Sequence, residues 1–190
     1  MAARLEQFIA SKGLPVRSLA DVGCGPATTL FEIAPRLPAT EFFGYDLSGT
    51  ILEVNRRKAR RKGLPNLNFR RARLPRMPTS RQFDVVFCIA TVHYVRDSRR
   101  AIRNLYAMAA PGGYLIFNYP NPTQRAATVR EAEKDPFVRR RFQLVLAGEN
   151  LLSRRVIAET LDREPRNFWT AVGEPPKPLN PCVVVSKPRR

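Results

Sequence analysis

Apolar and polar positions alternate along the chain with two periods. Leu5, Phe8 and Ile9 recur at helical spacing and predict a short amphipathic helix over 2–12, closed by Gly13 and Pro15. Residues 16–22 read as a strand, and 27–37 as a helix whose apolar face holds Leu30, Ile33, Ala34 and Leu37 before Pro38 ends it. A second strand over 40–45 follows. Ser48 then suits the N-cap of a helix that runs to about Lys62 and stops at Gly63-Leu64-Pro65. Residues 66–69 predict a third, short strand, and 74–81 a proline-rich loop. The unbroken apolar run 83–90 has the character of a strand buried on both faces.

A helix is predicted from Asp97 to Ala110, with Ile102, Leu105, Tyr106 and Ala109 on one face. Pro111-Gly112-Gly113 reads as a turn and 114–119 as a fifth strand. Residues 123–161 are mostly helical in pattern, interrupted near Pro136 and near Gly148-Glu149-Asn150. Two strand-like runs, 167–172 and 182–186, close the sequence and suit an antiparallel pair. Strands that alternate with helices imply right-handed crossovers and an α/β fold with a mainly parallel sheet. Ligands of such sheets bind outside the carboxyl ends of the strands. The candidate site is therefore the loop set 23–28, 46–49, 70–76, 90–96 and 118–123.

The first of these loops reads Asp21-Val22-Gly23-Cys24-Gly25-Pro26-Ala27-Thr28. Gly23 and Gly25 let the backbone approach a ligand closely. A dinucleotide fingerprint would need glycine where Thr28 stands, and Pro26 removes an N–H that a pyrophosphate would use. The loop thus fits a nucleoside better than a diphosphate, and a small NAD-dependent oxidoreductase is the least favoured reading. Asp21 places an acid at the site, which is poor for phosphates and good for a cation. Asp46 ends the second strand 23 residues after Gly23, where an acid accepts ribose hydroxyls. Capping of the next helix is the bland alternative for Asp46, a task Ser48 can also perform.

Four segments resemble one family. DVGCGPATTL is similar to the first motif of class I S-adenosylmethionine (SAM) dependent methyltransferases, and GYDLS to the second. FDVVFCIATVHYV resembles the strand-four motif of the small-molecule and quinone-biosynthesis members, and LYAMAAPGGYLIFNYPN the strand-five motif. The resemblance runs from about Leu14 to Asn121. It implies a Rossmann-like, doubly wound, mostly parallel seven-stranded sheet with an antiparallel last strand pair, formed by a single domain over 1–190. It also implies SAM as cofactor, with Asp21, Gly23, Cys24 and Gly25 around the methionine part, Asp46 on the ribose, Leu47 beside the adenine and Ala90 at the methionine end. Two departures stand out: Ala27 replaces the third glycine, and Arg71-Ala72-Arg73 stand where an acid often meets the adenine amine.

Methyl transfer from a sulfonium is a direct displacement that needs alignment and exclusion of water more than a metal or a covalent nucleophile. A general base helps an oxygen or nitrogen acceptor lose its proton. His93, the only histidine, follows the fourth strand and is the candidate base; the alternative, that His93 and Tyr94 only shape the pocket wall, weighs more heavily. Tyr119 and Asn118 are further pocket candidates. Cys24 is read as a small loop filler ahead of a reactive thiol. Cys24, Cys88 and Cys182 lack metal-ligand or disulfide spacing, so no metal site is expected.

With 190 residues, 44% of them apolar and 26% charged, the chain is long enough to bury a full core and is not a disordered polymer. No apolar run reaches a membrane span, and the first residues lack a secretory pattern, so a cytoplasmic protein with reduced thiols is expected. The outlier is charge. The 33 basic residues, 27 of them arginine, face 16 acids and give a net +17. Such a balance favours anionic partners, against the alternative of a solvated arginine-rich surface. SAM is itself cationic at sulfur, so the charge would serve the acceptor, taken to be a small or anionic molecule. A methyltransferase acting on RNA or protein, or a non-catalytic SAM-binding module, stays open as the alternative. Nucleic acid is not favoured, because aromatics make up only 9%.

Overall fold

A computed structural model describes residues 1–13, 15–77 and 81–189. Part of the proline-rich loop (78–80) lies outside the described residues. Helix α1 (Ala2–Ser11) precedes strand β1 (Ser18–Val22), then α2 (Thr28–Ile33), β2 (Glu41–Asp46), α3 (Gly49–Arg61), β3 (Leu67–Arg71) and β4 (Phe83–Cys88). Helix α4 (Ser98–Ala107) leads into β5 (Ala109–Asn118). Four helices follow: α5 (Pro122–Ala132), α6 (Pro136–Arg141), α7 (Gln143–Ala147) and α8 (Arg154–Leu161). The sequence ends with β6 (Arg166–Asn167), α9 (Phe168–Ala171) and β7 (Cys182–Ser186).

The seven strands form one sheet in the order β3-β2-β1-β4-β5-β7-β6. β1, β2, β3, β4 and β5 are parallel, whereas β7 runs antiparallel to both β5 and β6. This is the expected doubly wound sheet with an antiparallel last pair. The chain order reverses beside β1, between β1 and β4, so the loops after β1, β2 and β4 meet at one place.

Strand periodicity divides the core into two layers. Leu19, Phe42, Val85 and Ile116 point to one face, under α1, α2 and α3. Ala20, Phe43, Val86, Leu115 and Phe117 point to the other, where Ile102 and Leu105 of α4 and Ile157 of α8 cover them. Each of the larger side chains, fully buried, contributes about 1.5–3 kcal/mol. These layers hold the strand ends rigid and leave function to the loops. No helix among the described residues is long and apolar enough to cross a membrane.

Three local expectations are corrected. Pro111-Gly112-Gly113 lies within β5, where the pairing register with β4 shifts between Phe83 and Val85. A Cβ on Gly113 would sit 2.8 Å from the Asp84 carbonyl oxygen, so glycine lets the irregular strand lie close against β4. Residues 167–172 form only two residues of strand before turning into α9. Asn167 caps that helix by accepting the Thr170 N–H at 3.1 Å, and Phe168 and Trp169 both become buried, which strict alternation would not allow. The helix expected over 27–37 is also shorter, ending in a 3-10 turn at Ala34–Arg36.

Candidate functional site

The loop after β1 is tied to β2 by the N–H groups of Gly23 and Cys24, which both donate to the Tyr45 carbonyl at 2.7 and 3.0 Å. Gly23 has φ +77°, and a Cβ there would stand 2.0 Å from Oγ1 of Thr91. Glycine at this point therefore satisfies a left-handed backbone and lets the loop after β4 close onto the loop after β1.

Asp46 sits at the carboxyl end of β2. Its Oδ2 accepts the Gly25 N–H and its Oδ1 the Ser48 N–H, each at 2.9 Å. The carboxylate is thereby fixed while each oxygen keeps acceptor capacity for a ligand hydroxyl. The capping task falls to Ser48, whose Oγ accepts from Ile51 N–H at 3.3 Å. Asp46 borders a cavity of about 390 Å³ together with Gly23, Leu47, Ala72, Leu74 and Ala90. Leu47 is half exposed at its mouth, an apolar surface left for a planar ligand.

Asp21 is buried, and no side-chain or backbone donor among the described residues reaches its carboxylate. Loss of hydration, with the Asp46 charge adding to it, raises its pKa from 3.8 to about 7. Such a carboxylate is complementary to a cation. Asp21, Cys24 and Gly25 do not line the cavity; Asp21 and Cys24 are buried and Gly25 is partly exposed. Burial, then Asp21 and Asp46, push the Cys24 thiol well up, so it stays protonated and fills space beneath the loop.

On the opposite wall, Ala90 adopts φ +55°, a conformation that costs a non-glycine residue about 1–2 kcal/mol. Buried Asn118, at the end of β5, holds it there: its Oδ1 accepts the Ala90 N–H at 2.7 Å, and its Nδ2 donates to Asn180 Oδ1 at 2.8 Å. Ala27, in the third-glycine position, also has positive φ, +53°, at the start of α2. The sequence thus accepts strain at two places around the cavity.

The three catalytic candidates separate in space. His93 is buried, its Nε2 lies 3.1 Å from Gln124 Oε1, and it does not line the cavity. Burial pushes its imidazole below the usual range. Tyr119 is buried against Phe117 and is likewise outside the cavity lining; burial pushes its phenol up. Tyr94 alone reaches the mouth, stacked on Phe142 with ring centroids 5.8 Å apart and its hydroxyl accepting from Arg141 Nε at 2.6 Å.

Three contributors escaped the sequence reading. Asn55 of α3 is buried and donates from Nδ2 to the Gly25 carbonyl at 2.7 Å, bracing the glycine loop. Its signal is a polar residue on the helix stripe marked by Leu52 and Ala59. Thr91 packs onto Gly23, and Asn180 supports Asn118 from 62 residues away; neither carries a local signal.

Residues 20–115 match the methyltransferase domain family. The chain belongs to that family. This methyltransferase domain is 32% identical over 109 residues to trans-aconitate 2-methyltransferase of Methylobacterium radiotolerans, covering 55% of the chain and 40% of that protein. It is 29% identical to the ubiquinone biosynthesis O-methyltransferase of Coxiella burnetii over 64% of the chain and 50% of that protein. It therefore spans half or less of the length of these relatives. Among solved structures, SAM-bound CalS10, an amino pentose methyltransferase from Micromonospora echinaspora, superposes with a TM-score of 0.52 at 26% identity, over 61% of this chain and 48% of that one.

Proposed function

We propose that residues 1–190 act as a single domain that binds SAM in the 390 Å³ cavity and transfers a methyl group to a small-molecule acceptor. The observation that carries this reading is Asp46, a carboxylate held by two backbone N–H groups at the rim of a glycine loop. The matched relatives named for small acceptors support it.

The residues present fit the cofactor. Asp46 would hold the ribose hydroxyls, and Leu47 would cover one face of the adenine. Asp21 supplies negative charge behind a wall made of bare backbone at Gly23, suited to a ligand with sulfonium and ammonium charges. SAM, when bound, supplies a methyl group already activated by the positive sulfur. The chain's part is to align that group with the acceptor and exclude water, an effect worth up to roughly 7–11 kcal/mol. Tyr94 and Ala90 would wall the acceptor side. His93 we assign to positioning the segment after β4, because its Nε2 is paired with Gln124, its Nδ1 is buried without a partner among the described residues, and the ring lies outside the cavity lining. Cys24 is a filler.

The test is tritiated-methyl SAM incubated with the protein and a fractionated cell extract. Label should pass to a fraction of low molecular mass. Label appearing only in RNA or protein would overturn the small-molecule assignment, and absence of both SAM binding and transfer would overturn the whole reading.

A further inference from the structure

We propose that the arginine-lined groove beside the cofactor cavity binds the anionic part of the methyl acceptor, a small molecule bearing two or more carboxylate or phosphate groups. This rests on the methyltransferase reading and adds the acceptor's chemical class. The groove has a volume of about 610 Å³ and is lined by Arg73, Arg76, Arg96 and Arg100, with Asp97 and Tyr94. It shares Arg73, Leu74, Tyr94 and Val95 with the cofactor cavity, so occupants of the two would be neighbours across a common wall.

Two acids offset part of the positive charge. Asp97 caps α4 by accepting the Arg100 N–H at 3.0 Å, and Glu149 forms an ion pair with Arg96. The guanidinium groups of Arg73, Arg76 and Arg100 have no ion pair or side-chain hydrogen bond among the described residues. Guanidinium groups gathered around one groove repel one another. A carboxylate or phosphate relieves this repulsion and meets the planar donor forks in matched pairs. Asp97 limits the site, favouring a compact ligand whose charges reach the arginines over a uniform polyanion.

Two observations favour a small molecule over a nucleic acid. The groove has the size of a small-molecule site. A strongly basic segment on α3 packs on the opposite layer of the sheet: Leu52 and Ala59 lie with Leu19, whereas Ile102 and Leu105 of α4 lie with Ala20. There Arg56, Arg57 and Arg60 share Glu53. The α3 arginines therefore do not continue the groove into one track for a phosphodiester backbone.

Isothermal titration of the full chain tests this. S-adenosylhomocysteine is titrated first; the loaded protein is then titrated with tricarballylate, glycerol 3-phosphate, inorganic phosphate, uncharged glycerol and a short single-stranded RNA. An organic anion should bind saturably and glycerol should not; the order of tricarballylate and glycerol 3-phosphate tells carboxylate from phosphate chemistry. Arg76→Glu and Arg100→Glu, which line the groove but not the cofactor cavity, should each weaken the anion about tenfold or more and leave homocysteine-nucleoside affinity unchanged. The proposal is overturned if no anion binds at millimolar concentration to the loaded protein, if the two variants bind it as well as the parent, or if RNA binds tighter and loses affinity in both variants. Failure of the first titration alone would overturn the methyltransferase reading instead, and with it the acceptor role of the groove.

Discussion

Replacing Asp21 by asparagine should make the ligand-free protein more stable, and increasingly so as pH rises. The carboxyl has a pKa of 3.8 when unfolded and about 7 when folded, because burial and Asp46 both oppose its charge. Below the unfolded value both states are protonated and the group contributes nothing. Between the two values the folded state holds the extra proton, so stability falls as pH rises; above the folded value the full penalty is present. Integrating the difference gives a loss of about 2–3 kcal/mol between about pH 5 and pH 8. Asparagine is nearly isosteric and does not titrate, so that loss should vanish in Asp21→Asn. Urea unfolding of both proteins across this range measures it, and His93, which Asp21 does not perturb, cancels in the comparison. The variant should also bind SAM more weakly, because a neutral amide no longer attracts the cation. Parallel stability curves for the two proteins, with no widening gap toward high pH, would refute the assignment of Asp21 as a destabilised carboxyl kept for a cationic ligand.

Other outcomes follow from the same geometry. Gly23→Ala should cost at least about 2 kcal/mol, or roughly 4–8 °C in melting temperature, because the new Cβ meets Thr91 and φ is positive; a melting curve unchanged within a degree or so would contradict the close approach. Asn118→Ala strands the Ala90 N–H and should cost about 1–3 kcal/mol while weakening SAM binding, read by unfolding and by titration. His93→Gln should keep methyl transfer within about tenfold, since removal of a general base would cost roughly a hundredfold or more. The same variant should lose the acid sensitivity of the parent: the folded imidazole has a lowered pKa, so its neutral burial weakens stability as pH falls through the unfolded value of 6.5.

The architecture was legible because its signals are local. The glycine pair of the first loop, the acid ending the second strand and the unbroken apolar run of β4 each announce themselves within a few residues, and their order specifies the sheet. Of the candidate site, only part of the cavity rim was legible. Asp46 and Leu47 were readable because they stand at a strand end, where the fold makes ligands bind. Asn180 was not, and Asn55 shows only as a polar residue on an apolar helix stripe and Thr91 only as one member of the candidate loop 90–96, since each acts on a partner 30 or more residues away. The same distance explains His93. Its place after β4 marks it as a candidate base, but only the packing of α5 brings Gln124 to its Nε2. At 167–172 an apolar run without alternation concealed a helical turn, and the Asn167 cap decided it. The arginines beside Leu74 could be counted in the sequence, but their gathering around one groove depends on α4 lying next to that loop.

A crystal structure of the protein with S-adenosylhomocysteine tests the central claim most directly. The ribose should lie on the Asp46 carboxylate, the adenine against Leu47 and the amino acid end beside Gly23 and Ala90. A nucleoside bound elsewhere, or a cavity left empty at saturating ligand, would contradict the account.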